Sequence, residues 1–207
     1  MRDFGLVVIG AHFGVWLQEE ILSFKDRNIL LIEPVPYNFK ILQTNFKNNK
    51  NIFICNNAIF SENKLEKFYF VKENSIPILG KHWASGIGSF NKQHLLNHRT
   101  KRFKIEEKDI ESIKINFIDF ETLVKKYEIG NIEKLQIDVE GAEFDILNSI
   151  DFEKINIKNI LFESKHFDGT FTEGKKLETI KEKLISQGYQ LSQIDKENIL
   201  AKKLSLI

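Results

Sequence analysis

The segment Asp138-Val139-Glu140-Gly141-Ala142-Glu143 sets three carboxylates within six residues, directly after the apolar run that begins at Leu135. Such groups repel one another unless they bind something or share a proton, so they are candidates for acid–base chemistry. Asp138 and Glu140 are two apart, and at the end of a strand they should point to the same side. Glu143 follows one helical turn later, where an acid also simply matches a helix dipole. Asp138 and then Glu140 are therefore the first candidates for a general base. His166, close behind Glu163, is the third, because imidazole titrates near neutrality; an exposed loop histidine is the plain alternative. The block could instead hold a divalent cation such as magnesium that orients a diol. Direct acid–base use is preferred, and no metal ligand is assigned.

A second group of residues suits a nucleotide-like ligand. Gly10-Ala11-His12-Phe13-Gly14 follows the apolar run Leu6–Ile9 and precedes a helical pattern, so its backbone N–H groups can approach a ligand at the helix start. The spacing is G-x-x-x-G rather than the G-x-G-x-x-G of nicotinamide and flavin enzymes, and a simple strand–helix turn stays open. Glu33 lies 23 positions after Gly10, behind four apolar residues and before Pro34. An acid there can accept both hydroxyls of a ribose. Asn57-Ala58, past the next apolar run, falls near the base of such a ligand. His82 and Trp83 can line an acceptor pocket or form the small core of a covering loop. Cys55 reads as a packed thiol. His98-Arg99-Thr100-Lys101-Arg102 with Lys104 is a basic cluster, but Glu106 and Glu107 adjoin it and favour a solvated face.

These residues need a frame that brings strand ends together. Leu6–Ile9, Ile29–Ile32 and Ile52–Ile54 are continuous apolar runs, the mark of strands covered on both faces. Helical spacing separates them: Val15, Leu17, Ile21, Leu22 and Phe24 in one stretch, Phe39, Leu42 and Phe46 in the next. This is the rhythm of an α/β doubly wound sheet. It resumes with a helix capped by Asp119, a strand Leu135–Asp138 beside the first strand, a helix Gly141–Ile150 and a strand Asn159–Glu163. A helix from about Thr172 to Ser186, ended by Gly188, leads to Tyr189–Ile194 and Ile199–Lys203. The tight turn between those two makes them an antiparallel hairpin. Residues from about 61 to 118 break the rhythm: Leu65–Val71, Arg102–Glu106 and Lys114–Ile118 alternate as half-exposed strands, around a loop from Asn74 to Asn97. This stretch reads as an insertion without enough apolar residues for a core of its own.

The whole comprises 207 residues, one domain's worth, with Lys+Arg 30 against Asp+Glu 29. Near-neutral net charge argues against a nucleic-acid partner. A single cysteine excludes a disulfide framework and a cysteine-rich zinc site. The apolar runs are too short to span a bilayer and no signal peptide is read at the start, so a cytoplasmic protein is expected.

Ile9-Gly10-Ala11-His12-Phe13-Gly14, Ile32-Glu33-Pro34-Val35-Pro36 with Phe39, Leu42 and Asn45, Asn57-Ala58, and Leu135–Glu143 resemble the FkbM-like S-adenosylmethionine-dependent methyltransferases. The Asp-Val-Glu-Gly-Ala-Glu block is the most specific of these, and the matches run from Leu6 to about Glu163. The resemblance implies a class I methyltransferase fold: a Rossmann-like, doubly wound seven-stranded sheet ending in an antiparallel hairpin. It implies S-adenosylmethionine as cofactor and O-methylation of a sugar, glycan or natural-product hydroxyl. Carried over, Gly10, Ala11, His12 and Gly14 surround the methionine part, Glu33 holds the ribose, Asn57 and Ala58 approach the adenine, and Asp138 faces the sulfonium and the acceptor. Two positions depart from the family: Val8 replaces an acid two before the first glycine, and His12 replaces a common asparagine. The rival readings are a nicotinamide-dependent oxidoreductase and a non-catalytic nucleoside-binding module.

Overall fold

The computed structural model describes residues 1–100, 103–165, 167 and 174–204. The chain opens with β1 (Arg2–Ile9), one 3-10 turn at Val15–Leu17, α1 (Gln18–Ser23), β2 (Asn28–Ile32), α2 (Pro36–Phe46) and β3 (Ile52–Cys55). Phe4 to Ile9 and Ile29 to Ile32 are buried without interruption, which is why neither run alternates. Leu6, Val8, Ile29 and Leu31 pack against Leu17 of the 3-10 turn, Ile21 of α1 and Leu42 of α2. Val7, Ile9, Leu30 and Ile32 face the opposite cluster. Each such fully buried side chain contributes about 1.5–3 kcal/mol.

After β3 comes the insertion: β4 (Ala58–Ile59), β5 (Lys64–Val71), α3 (Ile76–Leu79), β6 (Gly88–Ser89), α4 (Lys92–Asn97), the short ribbon of β7 (Arg99–Thr100) and β8 (Phe103–Lys104), and β9 (Ile110–Ile118). Strands β4, β9, β5 and β6 lie side by side in that order as a separate four-stranded sheet. The expectation that this region lacks a core is corrected. Val71, Ala84, Ile87, Leu95, Phe103, Ile105 and Ile110 form a buried cluster of their own. They come from short, scattered elements, so no periodicity in the sequence announces them.

The doubly wound rhythm then returns with α5 (Phe120–Tyr127), β10 (Ile129–Ile137), α6 (Glu143–Ser149), β11 (Asn156–Glu163), α7 (Lys175–Ser186), β12 (Tyr189–Gln193) and β13 (Asn198–Lys203). Asp119 caps α5 as expected, its carboxylate accepting from Thr122 N at 2.7 Å. The main sheet has seven strands in the order β12-β13-β11-β10-β1-β2-β3. Its pairs are parallel except where β13 meets β11 and β12, so the closing hairpin is antiparallel as read from the sequence. Asp195 forms the turn by accepting from Glu197 N and Asn198 N. This is the class I methyltransferase arrangement implied by the resemblance. The strand order reverses between β1 and β10, and ligands of such sheets bind at the carboxyl ends beside that point. Among the described residues no helix is long and apolar enough to cross a membrane.

Candidate active site

Parallel register fixes the floor of the site. Ile9 pairs with Ile32 on one side and Ile137 on the other, so β1, β2 and β10 end level. Gly10 N and Ala11 N both donate to Ile32 O, at 3.0 and 2.9 Å, while Asp138 N donates to Ile9 O at 3.0 Å. Gly10 has φ +91°, and a Cβ there would lie 1.8 Å from the Asp138 carbonyl oxygen. Only glycine satisfies both conditions. His12 also has a positive φ, 52°. Asparagine, the common residue at this point, visits that region most readily, and histidine is another of the few side chains enriched there.

Glu33 sits where β2 ends and is only 4% exposed. Its carboxylate accepts from His12 N at 2.8 Å and from Val35 N at 2.9 Å. Burial pushes its pKa up to about 7, against the pull of those hydrogen bonds. The Asn38 side chain also bonds this carboxylate, and the lone-pair capacity left over can meet a ligand. Gly10, Glu33 and Asp138 line both ends of one groove. At one end Ala58, Phe68, Phe90 and Phe117 make an apolar slot, with Asn57 at its edge. At the other end His12, Trp16, Trp83, Gln136 and Glu140 make a polar trough.

The carboxylate block is split by its backbone. The strand ends at Ile137, and Glu140 and Gly141 take positive φ values of 58° and 105°. The alternation that would align Asp138 with Glu140 therefore stops before it reaches them. Asp138 stays exposed at the groove, with carboxylate oxygens of Glu143 and Glu163 within 4.8 Å. Glu140 turns instead toward His94 and His98 of the insertion. Glu143 is wholly buried and accepts from Val139 N at 2.7 Å and Gly141 N at 2.9 Å, bracing the turn. Desolvation raises its pKa well above the usual carboxylate range, and the neighbouring Glu163 and Asp138 add to the shift.

Of the other residues singled out in the sequence, Ala11 and His12 line the polar trough, and Asn57 and Ala58 the apolar slot. Gly14 is set back: a Cβ there would press on Phe46 and Leu42 at 2.5 and 2.9 Å, so it serves helix packing. Val8 is buried in the cluster shared with α1 and α2. His166 lies outside the described residues. The insertion supplies what the sequence reading passed over. Ser85 Oγ lies 2.7 Å from His12 Nε2 and donates to His82 O at 2.7 Å, while Asn38 Nδ2 donates to Ser85 O at 2.7 Å. This ties the covering loop to the Gly10 turn. Burial, and then His82, lower the His12 pKa to about 4, so its ring is neutral at physiological pH. Trp83 is 42% exposed and packs on Phe103 with ring centroids 4.6 Å apart. The spacing His94-x-x-x-His98 was a legible signal, since residues four apart share a helix face.

Comparison with known proteins adds the family. A family model described as "Methyltransferase FkbM domain" matches residues 9–191. No curated protein sequence matches the chain significantly. Similar solved structures include the precorrin-6y C5,15-methyltransferase of Geobacter metallireducens GS-15, 11% identical over 98% of this chain and 82% of that one, with a TM-score of 0.46. Aeropyrum pernix fibrillarin, solved with natively bound S-adenosyl-L-methionine, is 12% identical over 97% of this chain and 66% of that one, with a TM-score of 0.48. SMU.1697c of Streptococcus mutans, solved in complex with SAH, is 9% identical over 98% and 91%, with a TM-score of 0.49. The assignment does not rest on these distant likenesses but on the family match, which covers most of the chain and takes in the Gly10 turn, Glu33 and the Asp138 block. The chain belongs to the FkbM-domain methyltransferase family.

Proposed function

We propose that the protein uses S-adenosylmethionine to methylate a hydroxyl oxygen of a sugar, glycan or natural-product acceptor, and that it works in the cytoplasm. The observation that carries this reading is the single groove centred on Gly10, Glu33 and Asp138, apolar and aromatic at one end and tryptophan-flanked at the other. The residues fit the cofactor. A flat purine suits the slot by Ala58 and Phe90, with Asn57 at its edge. A buried carboxylate at Glu33 suits a ribose diol, and the bare Gly10 backbone admits the methionine part.

When bound, the cofactor supplies an electrophilic methyl group on a sulfonium. Gly10, Ala11 and His12 hold its amino-acid end against the strand edge. Glu33 would hold the ribose hydroxyls. Trp16 and Trp83 flank the acceptor and present apolar ring faces to it. Asp138, exposed beside the switch point, would accept the proton of an acceptor hydroxyl held there. Much of the rate enhancement then comes from alignment of oxygen, methyl and sulfur.

Thermal-shift titration with S-adenosylmethionine, S-adenosylhomocysteine and NADH, followed by methyl transfer to a panel of glycans and polyols, tests this. Stabilisation by the two methionine cofactors alone, with methyl incorporation into a hydroxylated acceptor, is expected. Stabilisation by NADH alone would overturn the cofactor assignment. Cofactor binding with methylation of nitrogen or carbon acceptors only would overturn the O-methylation.

A further inference from the structure

We propose that His94, His98 and Glu140 form a binding site for a divalent first-row transition cation, zinc by preference, at the acceptor end of the groove. His94 Nε2 and His98 Nε2 are 3.0 Å apart, and Glu140 Oε2 lies 3.2 Å from the first and 3.4 Å from the second. Tetrahedral zinc sets its nitrogen and oxygen donors about 3.3 Å apart, at bond lengths of about 2.0–2.2 Å. An ion bonded to all three atoms would therefore sit about 1 Å above their plane, with a fourth tetrahedral position for a further ligand. A neutral imidazole has one N–H, and the three edges between two ring nitrogens and one carboxylate oxygen cannot all be hydrogen bonds at once. A cation bonded to both ring nitrogens and the carboxylate oxygen would account for all three separations together.

The scaffold holds these ligands firmly. His94 lies in α4 and His98 is the residue that caps its carboxyl end, and their rings meet edge to face with centroids 4.8 Å apart. Asn91 caps that helix by accepting from Gln93 N at 3.0 Å. Leu95, on the same helix, is fully buried in the insertion's own core. His94 is 1% exposed and His98 9% in their side chains. Glu140 reaches them because its backbone is left-handed (φ 58°), next to the turn that Glu143 braces. Two imidazoles and one carboxylate select zinc or its neighbours over magnesium, which prefers oxygen donors only.

The site is joined to the groove, because Glu140 lines the same trough as Asp138 and Trp83. In this role the inference rests on the proposed methyl transfer. A cation there would take an acceptor oxygen at its open position and make that hydroxyl more acidic, so that Asp138 receives its proton more readily. Glu140 is then a ligand rather than a base.

Full-length protein freed of metal by chelator should bind one equivalent of Zn2+ in calorimetric titration, and Co2+ should give visible absorption bands from nitrogen and oxygen coordination. His98→Gln and Glu140→Gln, chosen because neither leaves a cavity in the core, should each weaken Zn2+ by more than about tenfold, the loss expected even from outer partners of a metal site. Both variants should keep the wild-type thermal shift with S-adenosylhomocysteine, which separates ligand loss from misfolding. Absence of saturable Zn2+ binding in a protein that still responds to S-adenosylhomocysteine would overturn the site. Equal Zn2+ affinity in the wild type and both variants would do the same. Zn2+ binding in a protein blind to S-adenosylhomocysteine would keep the site and remove its part in methyl transfer.

Discussion

The groove has two walls built on different principles. The wall from the main sheet is set by backbone: β1, β2 and β10 end level because their parallel registers leave no other choice, and Gly10, Glu33 and Asp138 are simply the next residues. The wall from the insertion is set by side chains. Ser85 is tied to His12 and Asn38, Trp83 leans on Phe103, and His94 and His98 close on Glu140. Backbone placement is unforgiving and shared by every ligand of the groove. Side-chain placement is separable, one contact at a time. Damage to the backbone of the first wall should therefore abolish cofactor binding, a side-chain change on it should cost only that side chain's own role, and damage to the second should alter what is methylated and how well.

The largest effect is expected at Gly10. Gly10→Ala forces a Cβ to within 1.8 Å of the Asp138 carbonyl oxygen at φ +91°, so the two strand ends must separate. Clash and backbone strain together should cost about 3 kcal/mol or more. A lowered melting temperature and loss of the S-adenosylhomocysteine shift are the readouts. A variant that bound the cofactor normally would show that the strand ends do not form the floor.

Next comes Asp138→Asn. This side chain is exposed and asparagine keeps its size, so the fold and cofactor affinity should hold while kcat falls about 10²–10⁴-fold, the range for loss of a general base. Removing its charge also relieves the raised pKa of the buried Glu143, so the melting temperature should stay level or rise slightly. Full retained activity would pass the proton-accepting role to another group.

How much of this could be read without coordinates follows the same division. Gly10, Glu33 and Asp138 were legible because each directly follows an apolar run, and a run buried on both faces marks its own end. The amino-terminal half of β10 was not: Ile129-Gly130-Asn131-Ile132-Glu133-Lys134 mixes polar residues into a strand, because Asn131 and Glu133 reach the sheet margin and bond Asp3, Arg27 and Lys158. The insertion's core was missed because seven buried residues are spread over short pieces, from Val71 to Ile110. His98 was read as part of a basic cluster, since its partner in space, Glu140, lies 42 residues away in the chain. The split between Asp138 and Glu140 depended on the strand ending at Ile137 and on positive φ at Glu140 and Gly141, which polar–apolar alternation does not reveal.

A smaller effect, and one with a pH signature, belongs to Glu33. Its ionised form accepts ribose hydroxyls, and without ligand it holds its proton up to about pH 7 because it is buried. Cofactor affinity should therefore be full above pH 7 and decline as pH falls through that value, where the carboxyl becomes neutral. Glu33→Gln should weaken S-adenosylhomocysteine by about 10–100-fold, the worth of a hydrogen bond to a charged group. It should also flatten the pH dependence between 6 and 8. A pH dependence unchanged in the variant would place the titrating group elsewhere, His12 excepted, since its pKa of about 4 lies below this range.

The smallest effect tests the second wall alone. Trp83 is 42% exposed, lines the polar trough and is not among the residues that line the apolar slot. Trp83→Ala removes one ring face from the acceptor, a loss of about 1–2 kcal/mol of binding that ground and transition states share. The acceptor KM should rise about 5–30-fold while kcat and the S-adenosylhomocysteine affinity stay within about twofold. The packing lost against Phe103 is worth about 0.5–1.5 kcal/mol and should lower the melting temperature by a few degrees at most. If cofactor affinity fell instead while the acceptor KM held, the insertion would belong to the cofactor wall, and the separation of backbone-set from side-chain-set binding would fail at the residue chosen to show it.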